Sequence, residues 1–290
     1  GKYAVCCIGG SLPYTAKNTM PHEVLTSDVM DEIRWASLST NAKKSPILKQ
    51  YCHKCMKQED EYGFSERQRF VKANRLPTLR QAEDFFARGE YKLKERCLYV
   101  QLRTFGNQCN LDCYMCHPRN SSTKSKQNKQ FNYEQFISFD PDNYDPKMDN
   151  YDPYLEKILE LAPYISNWRI EGGEPLIMRN QYKFLDRIIE WGHSKYINLE
   201  LNTNATTLKQ GKHRILDYFK MFNEVHINLS IDGIGQHGDY IRRRSKWEEI
   251  VENVNTLKTV KNVHMEITCS LSLLSVIHHD QVKKWGKENN

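Results

Sequence analysis

Cys109-Asn-Leu-Asp-Cys113-Tyr-Met-Cys116 is the stretch that most narrows what this chain can fold into. Three thiols within eight residues, spaced by three and then two, can converge on one face of a metal cluster. No fourth cysteine stands nearby. A structural zinc site or an electron-transfer [4Fe–4S] cluster normally takes four protein ligands. A cluster held by three keeps one iron open for something else to bind. The competing reading is a zinc loop or an ordinary group of reduced thiols, and context must decide between them.

The run before the loop, Cys97-Leu-Tyr-Val-Gln-Leu-Arg-Thr-Phe105, is β-branched and aromatic with partial alternation, which predicts a strand. A loop leaving the C-terminal end of a first strand is where a (β/α) barrel builds its site. Downstream, Trp168-Arg-Ile-Glu171-Gly172-Gly173-Glu174-Pro175 predicts a strand ending in a double glycine. Glycines let the backbone approach a ligand with no Cβ in the way. Glu174 adds a carboxylate able to pair with an ammonium group. Further strands are expected at Tyr196–Leu201, Val225–Ser230 and Val263–Leu271. Helical periodicity marks Tyr154–Leu161, Tyr182–Trp191 and Trp247–Leu257. This alternation argues an α/β fold, a parallel sheet with helices outside.

In these residues the chain resembles the radical S-adenosylmethionine (radical SAM) superfamily, through the three-cysteine loop and a letter-for-letter Gly-Gly-Glu-Pro. The resemblance implies that Cys109, Cys113 and Cys116 hold a [4Fe–4S] cluster whose open iron chelates SAM. One electron then cleaves SAM to methionine and a 5′-deoxyadenosyl radical. It also implies the SAM contacts: Met115 on the adenine, Gly172, Gly173, Glu174 and Pro175 around the amino group, Asn202 and Ser230 near the ribose. Arg242, or its neighbour Arg243, would hold the carboxylate. Asn202-Thr-Asn-Ala205-Thr206 is similar to the family's Thr-Asn-Gly-Thr, with Ala205 replacing the glycine. Ser230 and Asp232 would point into the barrel, although Asp232-Gly233 alone reads as a turn. The implied fold is a partial (β/α)6 TIM-type barrel over 93–290, of which five strands are legible; the sixth is expected to be missing from this chain. Cys269, in an apolar strand, reads as a small buried residue.

Residues 1–92 form a different unit, a small α+β domain and linker. Cys52-His-Lys-Cys55 is a knuckle that can present two thiolates to one metal, and Gly1–Cys6 is a hairpin that can add another. With Asp31–Ser37 and Glu59–Arg67 these resemble the twitch domain, a half-SPASM module that carries an auxiliary [4Fe–4S] cluster. Here it precedes the barrel, as in a group of bacterial and phage radical SAM proteins. The implied auxiliary ligands are Cys6, Cys52 and Cys55. The family pattern places another cysteine upstream of Gly1, so the chain is expected to be trimmed at both ends, with Cys7 as the alternative fourth ligand. A small zinc-binding domain is the rival reading.

Composition sets the surroundings. The 290 residues suffice for two domains. Nine cysteines at ligand spacing, without a secretory signal or long apolar run, read as reduced thiols in a cytoplasmic protein with no membrane partner. The net charge of +6 is a mild basic excess. Lys124, Lys126 and Lys129 lie in a polar stretch, Ser121 to Gln130, read as a solvated loop, and no nucleic-acid partner is expected. The Asp-Pro-rich segment 120–152 reads as a lid or a disordered insertion. The leading expectation is hydrogen abstraction from a peptide or protein residue. The alternatives are oxidation or rearrangement of a small polyol or nucleotide-type metabolite, and a non-catalytic iron–sulfur or zinc-binding protein. An external low-potential donor of flavodoxin or ferredoxin type is implied. No residue is assigned as acid, base or radical relay.

Overall fold

The computed structural model describes residues 2–4, 10–15, 19, 21–38, 45–66, 68–69, 98–102, 106–131 and 153–289. The chain divides into two compact units, Gly1–Glu95 with Glu156–Leu161, and Arg96–Leu155 with Ala162–Asn290.

In the first unit, β1 (Lys2–Ala4) pairs antiparallel with β2 (Ser11–Thr15), a pairing that extends well beyond the expected Gly1–Cys6 hairpin. Four helices follow: α1 (Pro21–Leu25), α2 (Asp28–Leu38), α3 (Pro46–Tyr51) and α4 (His53–Tyr62). Ser45 caps α3 by accepting from the Leu48 amide, with Pro46 in the first turn where its missing N–H costs nothing. Gly63, at φ 72°, ends α4 in the left-handed conformation that a side chain would disfavour. Leu12, Val24, Ile33, Leu48, Cys55 and Met56 are among the residues that close the small core.

The second unit runs β3 (Leu98–Leu102), α5 (Ser122–Phe131), β4 (Ile165–Ile170), α7 (Arg179–Glu190) and β5 (Asn198–Thr203), while α6 (Pro153–Leu159) is divided, its residues from Glu156 onward belonging to the first unit. A short hairpin, β6 (Lys209–Gln210) and β7 (His213–Arg214), leads to α8 (Ile215–Phe219) and β8 (Val225–Ser230). Then come α9 (Gly235–Ile241), α10 (Trp247–Leu257), β9 (Val263–Thr268) and α11 (His279–Asn289). The five long strands pair in parallel in the order β3-β4-β5-β8-β9. Strands added in one direction, each crossing through helices, make a barrel wall and not a doubly wound sheet.

Alternation along the strands separates two faces. Trp168, Ile170, Leu199, Leu201, Val225, Ile227 and Leu229 are buried on one. Tyr182, Phe184, Leu185 and Ile188 of α7 are fully buried as well, and the rings of Trp168 and Phe184 meet edge-on at 4.7 Å. The opposite face is polar. Gln101, Arg169, Glu200, His226 and His264 stand side by side in register across all five strands. Asn202, Asn228 and Glu266 form the next row. Barrel interiors are ordinarily filled by branched apolar side chains; this face carries hydrogen-bonding groups instead.

Ser122–Phe131 corrects the expected solvated loop: it is a helix whose first turn is capped by Ser121, Oγ accepting from the Lys124 amide at 3.3 Å. Residues 132–152, the remainder of the expected lid or insertion, lie outside the described residues.

Candidate active site

Cys109, Cys113 and Cys116 are reduced thiols on the loop that follows β3, with Cys113 buried and the others half-buried. Four segments hold this loop from outside. At the end of β4, the Glu174 amide donates to Gln108 O at 2.7 Å. A Cβ on Gly173 would stand 2.1 Å from Gln108 O and 2.5 Å from Asn107 O; one on Gly172 would stand 2.7 Å from Gly106 O. The double glycine is therefore the seat of the cysteine loop itself.

At the end of β5, Asn204 Nδ2 donates to Asn110 Oδ1 at 3.0 Å, and Asn110 Nδ2 donates to Thr206 Oγ1 at 2.7 Å. At the end of α9 and just beyond it, Ile241 O and Arg243 O accept from the amides of Tyr114 and Asp112 at 3.1 and 3.0 Å. At the start of α5, Ser122 Oγ accepts from the Cys109 amide at 3.3 Å, and the Ser122 amide donates to Asn107 O at 2.8 Å.

Glu174 is 1% exposed. Its Oε1 accepts from the Leu176 amide at 3.0 Å and Thr203 Oγ1 at 2.7 Å, and Oε2 accepts from the Asn204 amide at 2.7 Å. Burial pushes its carboxyl above the usual range, against the pull of those hydrogen bonds and of Arg242. The side chain expected to face an ammonium group is thus enclosed by protein donors and joins the ends of β4 and β5. Pro175, also buried, begins the 3-10 turn that Glu174 caps.

Arg242 and Arg243 separate into different roles. Arg242 Nη2 lies 2.6 Å from Asp232 Oδ2, and its Nη1 reaches Cys113 Sγ at 4.0 Å. Its Nε is buried with no hydrogen-bond partner among the described residues, an orphaned donor beside the thiols that suits an incoming carboxylate. Asp232, fully buried, accepts from the Ser270 amide at 2.6 Å and so joins the ends of β8 and β9. Arg243 turns away, over the Tyr114 ring and towards Asp112. Met115 and Ser230 are half-buried; Asn202 Oδ1 accepts from Arg169 Nη2 at 3.4 Å on the polar face.

The donor set fits a cluster. Burial pushes the Cys109 thiol up to about 12 and raises Cys113 and Cys116 as well, with the charge of Arg242 opposing it at the latter two. Such thiols keep their protons until a metal displaces them. Among the described residues no three Cys, His, Asp or Glu side chains close around a point where a single ion would sit.

Beneath the loop, the polar face is internally connected. Arg169 Nε donates to Glu171 Oε1 at 3.1 Å and its Nη1 lies 3.9 Å from Glu200 Oε2. Tyr99 O–H and Asn167 Nδ2 donate to the two oxygens of Glu200 at 2.7 and 3.3 Å. Burial first, and then the Glu200 carboxylate, push the Tyr99 hydroxyl up to about 12. His264 pairs with Glu224 at 2.6 Å and stacks on His226 at 5.2 Å. Sequence reasoning missed Asn110, Asp112 and, apart from Asn202 and Ser230, this face, and it read Lys124 as part of a solvated loop. The period-two run of polar residues in each strand was the available signal for the face.

In the first unit, Cys52 joins α3 to α4, and Cys55 packs into the apolar core with Cys52 against it. Cys6 and Cys7 lie outside the described residues. Cys269, half-buried just past β9, is less enclosed than the sequence suggests.

A parallel sheet that seats a three-thiol loop against its own strand ends defines an α/β protein with its thiols gathered at one end of the sheet. The Radical SAM superfamily model matches residues 104–274, more than half of the chain, and the chain belongs to that superfamily. It is therefore an enzyme of the kind that uses a [4Fe–4S] cluster and SAM. No curated protein matches it. Among solved structures it is similar to Streptococcus suis SuiB, at 13% identity and TM-score 0.47 over 90% of this chain and 53% of that one. SuiB bound to S-adenosylmethionine gives 14% and 0.44 over 89% and 54%, and SuiB bound to precursor peptide SuiA gives 14% and 0.43 over the same shares. The chain spans about half the length of the structures it matches.

Proposed function

We propose that the chain abstracts hydrogen from a peptide or protein residue held against the polar face of its sheet. When bound, the cluster and SAM supply a 5′-deoxyadenosyl radical. Cys109, Cys113 and Cys116 hold the cluster; the orphaned Arg242 Nε, fixed by Asp232, takes the SAM carboxylate. Backbone groups of Gly172–Pro175 take the amino group, Met115 lies against the adenine, and Asn202 and Ser230 lie near the ribose. The observation that carries the reading is the three-thiol loop clamped at the strand ends directly above a connected polar wall. That wall also favours a second reading, a small polyol whose hydroxyls exchange hydrogen bonds with Glu171, Glu200 and Asn202. An auxiliary [4Fe–4S] cluster on Cys6, Cys52 and Cys55, with Cys7 as the alternative fourth ligand, and an external flavodoxin- or ferredoxin-type donor complete the proposal, in a cytoplasmic setting.

The test is anaerobic reconstitution with dithionite and SAM. 5′-Deoxyadenosine should form, and replacing Cys109, Cys113 and Cys116 together by Ala should abolish it; undiminished product in that variant would sink the assignment. Deuterium transfer from a labelled peptide library into 5′-deoxyadenosine supports the peptide reading. Transfer only from labelled polyols supports the other.

A further inference from the structure

Asp112 sits inside the cysteine loop, one residue before Cys113, and the resemblance gives it no role. Its side chain is 2% exposed, and its Oδ1 lies 2.9 Å from Lys124 Nζ. Both oxygens accept from Gln127 Nε2, at 3.2 and 3.0 Å, and Oδ2 lies 3.3 Å from Arg243 Nη1. Its amide donates to Arg243 O at 3.0 Å. Lys124 and Gln127 belong to α5, and Arg243 to the segment after α9. A single carboxylate thus ties two distant pieces of chain to the loop that carries the thiols. It also sets one anion against two cations, of which Lys124 acts on the Cys116 thiol as well.

We infer that Asp112 is a positioning residue for the catalytic cluster, anchoring the loop and offsetting the cationic charge that Lys124 and Arg243 bring to it. The inference rests on the reading of Cys109, Cys113 and Cys116 as cluster ligands. A cation beside a redox centre favours the added electron and raises the reduction potential; an anion lowers it. With Asp112 in place one of the two cationic charges is offset, which suits a cluster that must reduce at low potential.

Asp112→Asn keeps the shape and removes the charge. In the reconstituted full chain, a redox titration followed by EPR, using the signal that SAM perturbs, should place the variant at a less negative potential. At one fixed poise its reduced-to-oxidised ratio should rise by roughly threefold or more, with iron content near wild type. Asp112→Glu, which keeps the charge, and the double variant Asp112→Asn/Lys124→Gln, which rebalances it, should both return towards wild type. A wild-type potential in Asp112→Asn overturns the proposal, as does a raised potential that the double variant fails to lower. If Asp112→Asn cannot be loaded, hydrogen exchange of the metal-free protein decides: faster exchange across 109–116 supports the anchor, and unchanged exchange overturns it. Wild-type protein that shows no SAM-perturbed signal overturns the cluster reading beneath it, a distinct result.

Discussion

Ala205 shows how much one backbone angle explains. It is fully buried at φ 56°, where the resembling motif carries glycine. The Ala205 amide donates to Thr203 Oγ1 at 3.0 Å, and Asn253 donates to its carbonyl at 2.8 Å, so its neighbours enforce the left-handed turn. An L-residue there costs about 1–2 kcal/mol, offset in part by the extra freedom glycine has when unfolded. Ala205→Gly should stabilise the unit by about 0.5–1 kcal/mol, read as a higher urea midpoint at unchanged slope. Gly173→Val would drive a side chain into Gln108 O and Asn107 O. Iron retention and SAM affinity should therefore fall together; normal iron with weak SAM binding would show that the glycine faces the ligand alone. Cys109, with its thiol near 12 in the metal-free protein, should be alkylated slowly at about pH 8 and faster as the pH climbs towards that value. Rapid alkylation at about pH 7 would mean that the loop is open.

At the scale of elements, the strands were legible and α5 was not. β8 (Val225–Ser230) and α10 (Trp247–Leu257) lie where periodicity puts them, because each buries one face and exposes the other. Helix α5, Ser-Thr-Lys-Ser-Lys-Gln-Asn-Lys-Gln-Phe, has no apolar stripe to betray it. It is held by the Ser121 cap, by Ser125 Oγ donating to Pro118 O at 2.6 Å, and by Lys124 and Gln127 on Asp112. Polar contacts of that kind have no period in sequence. The buried side of the sheet makes a simpler prediction. Phe184→Ala, which removes the ring packed on Trp168, should cost about 3–5 kcal/mol in chemical denaturation. A loss under about 1 kcal/mol would mean that the space collapses freely.

Across the whole molecule, the chain divides into two compact units. Among the described residues no helix is long and apolar enough to cross a membrane. If the first unit carries an auxiliary cluster, replacing both Cys52 and Cys55 by Ala should remove about half the iron of the reconstituted chain, on the expectation of two four-iron clusters. Cleavage of SAM with dithionite should survive, since Cys109, Cys113 and Cys116 belong to the other unit. One zinc per chain by elemental analysis, with no second cluster, would refute the twitch assignment and leave the barrel site untouched. The buried place of Cys55 among Leu48, Met56 and Ile33 means the same change should also loosen this small core.

The sequence by itself determined the family, the three-thiol loop and the positions of the strands, because cysteine spacing and strand period are local properties that neighbours in the chain carry unaided. Only the tertiary structure decided what the motifs do to one another. Gly172, Gly173, Asn204, Thr206 and the carbonyls of Ile241 and Arg243 all meet the cysteine loop, and Glu174 is spent on Thr203 and Asn204. Those contacts join residues as far as about 130 positions apart, and a carboxylate reads the same in sequence whether it faces a ligand or is enclosed by protein donors. Burial and the direction of the side chain decide between the two, and both are set only when distant strand ends are brought together.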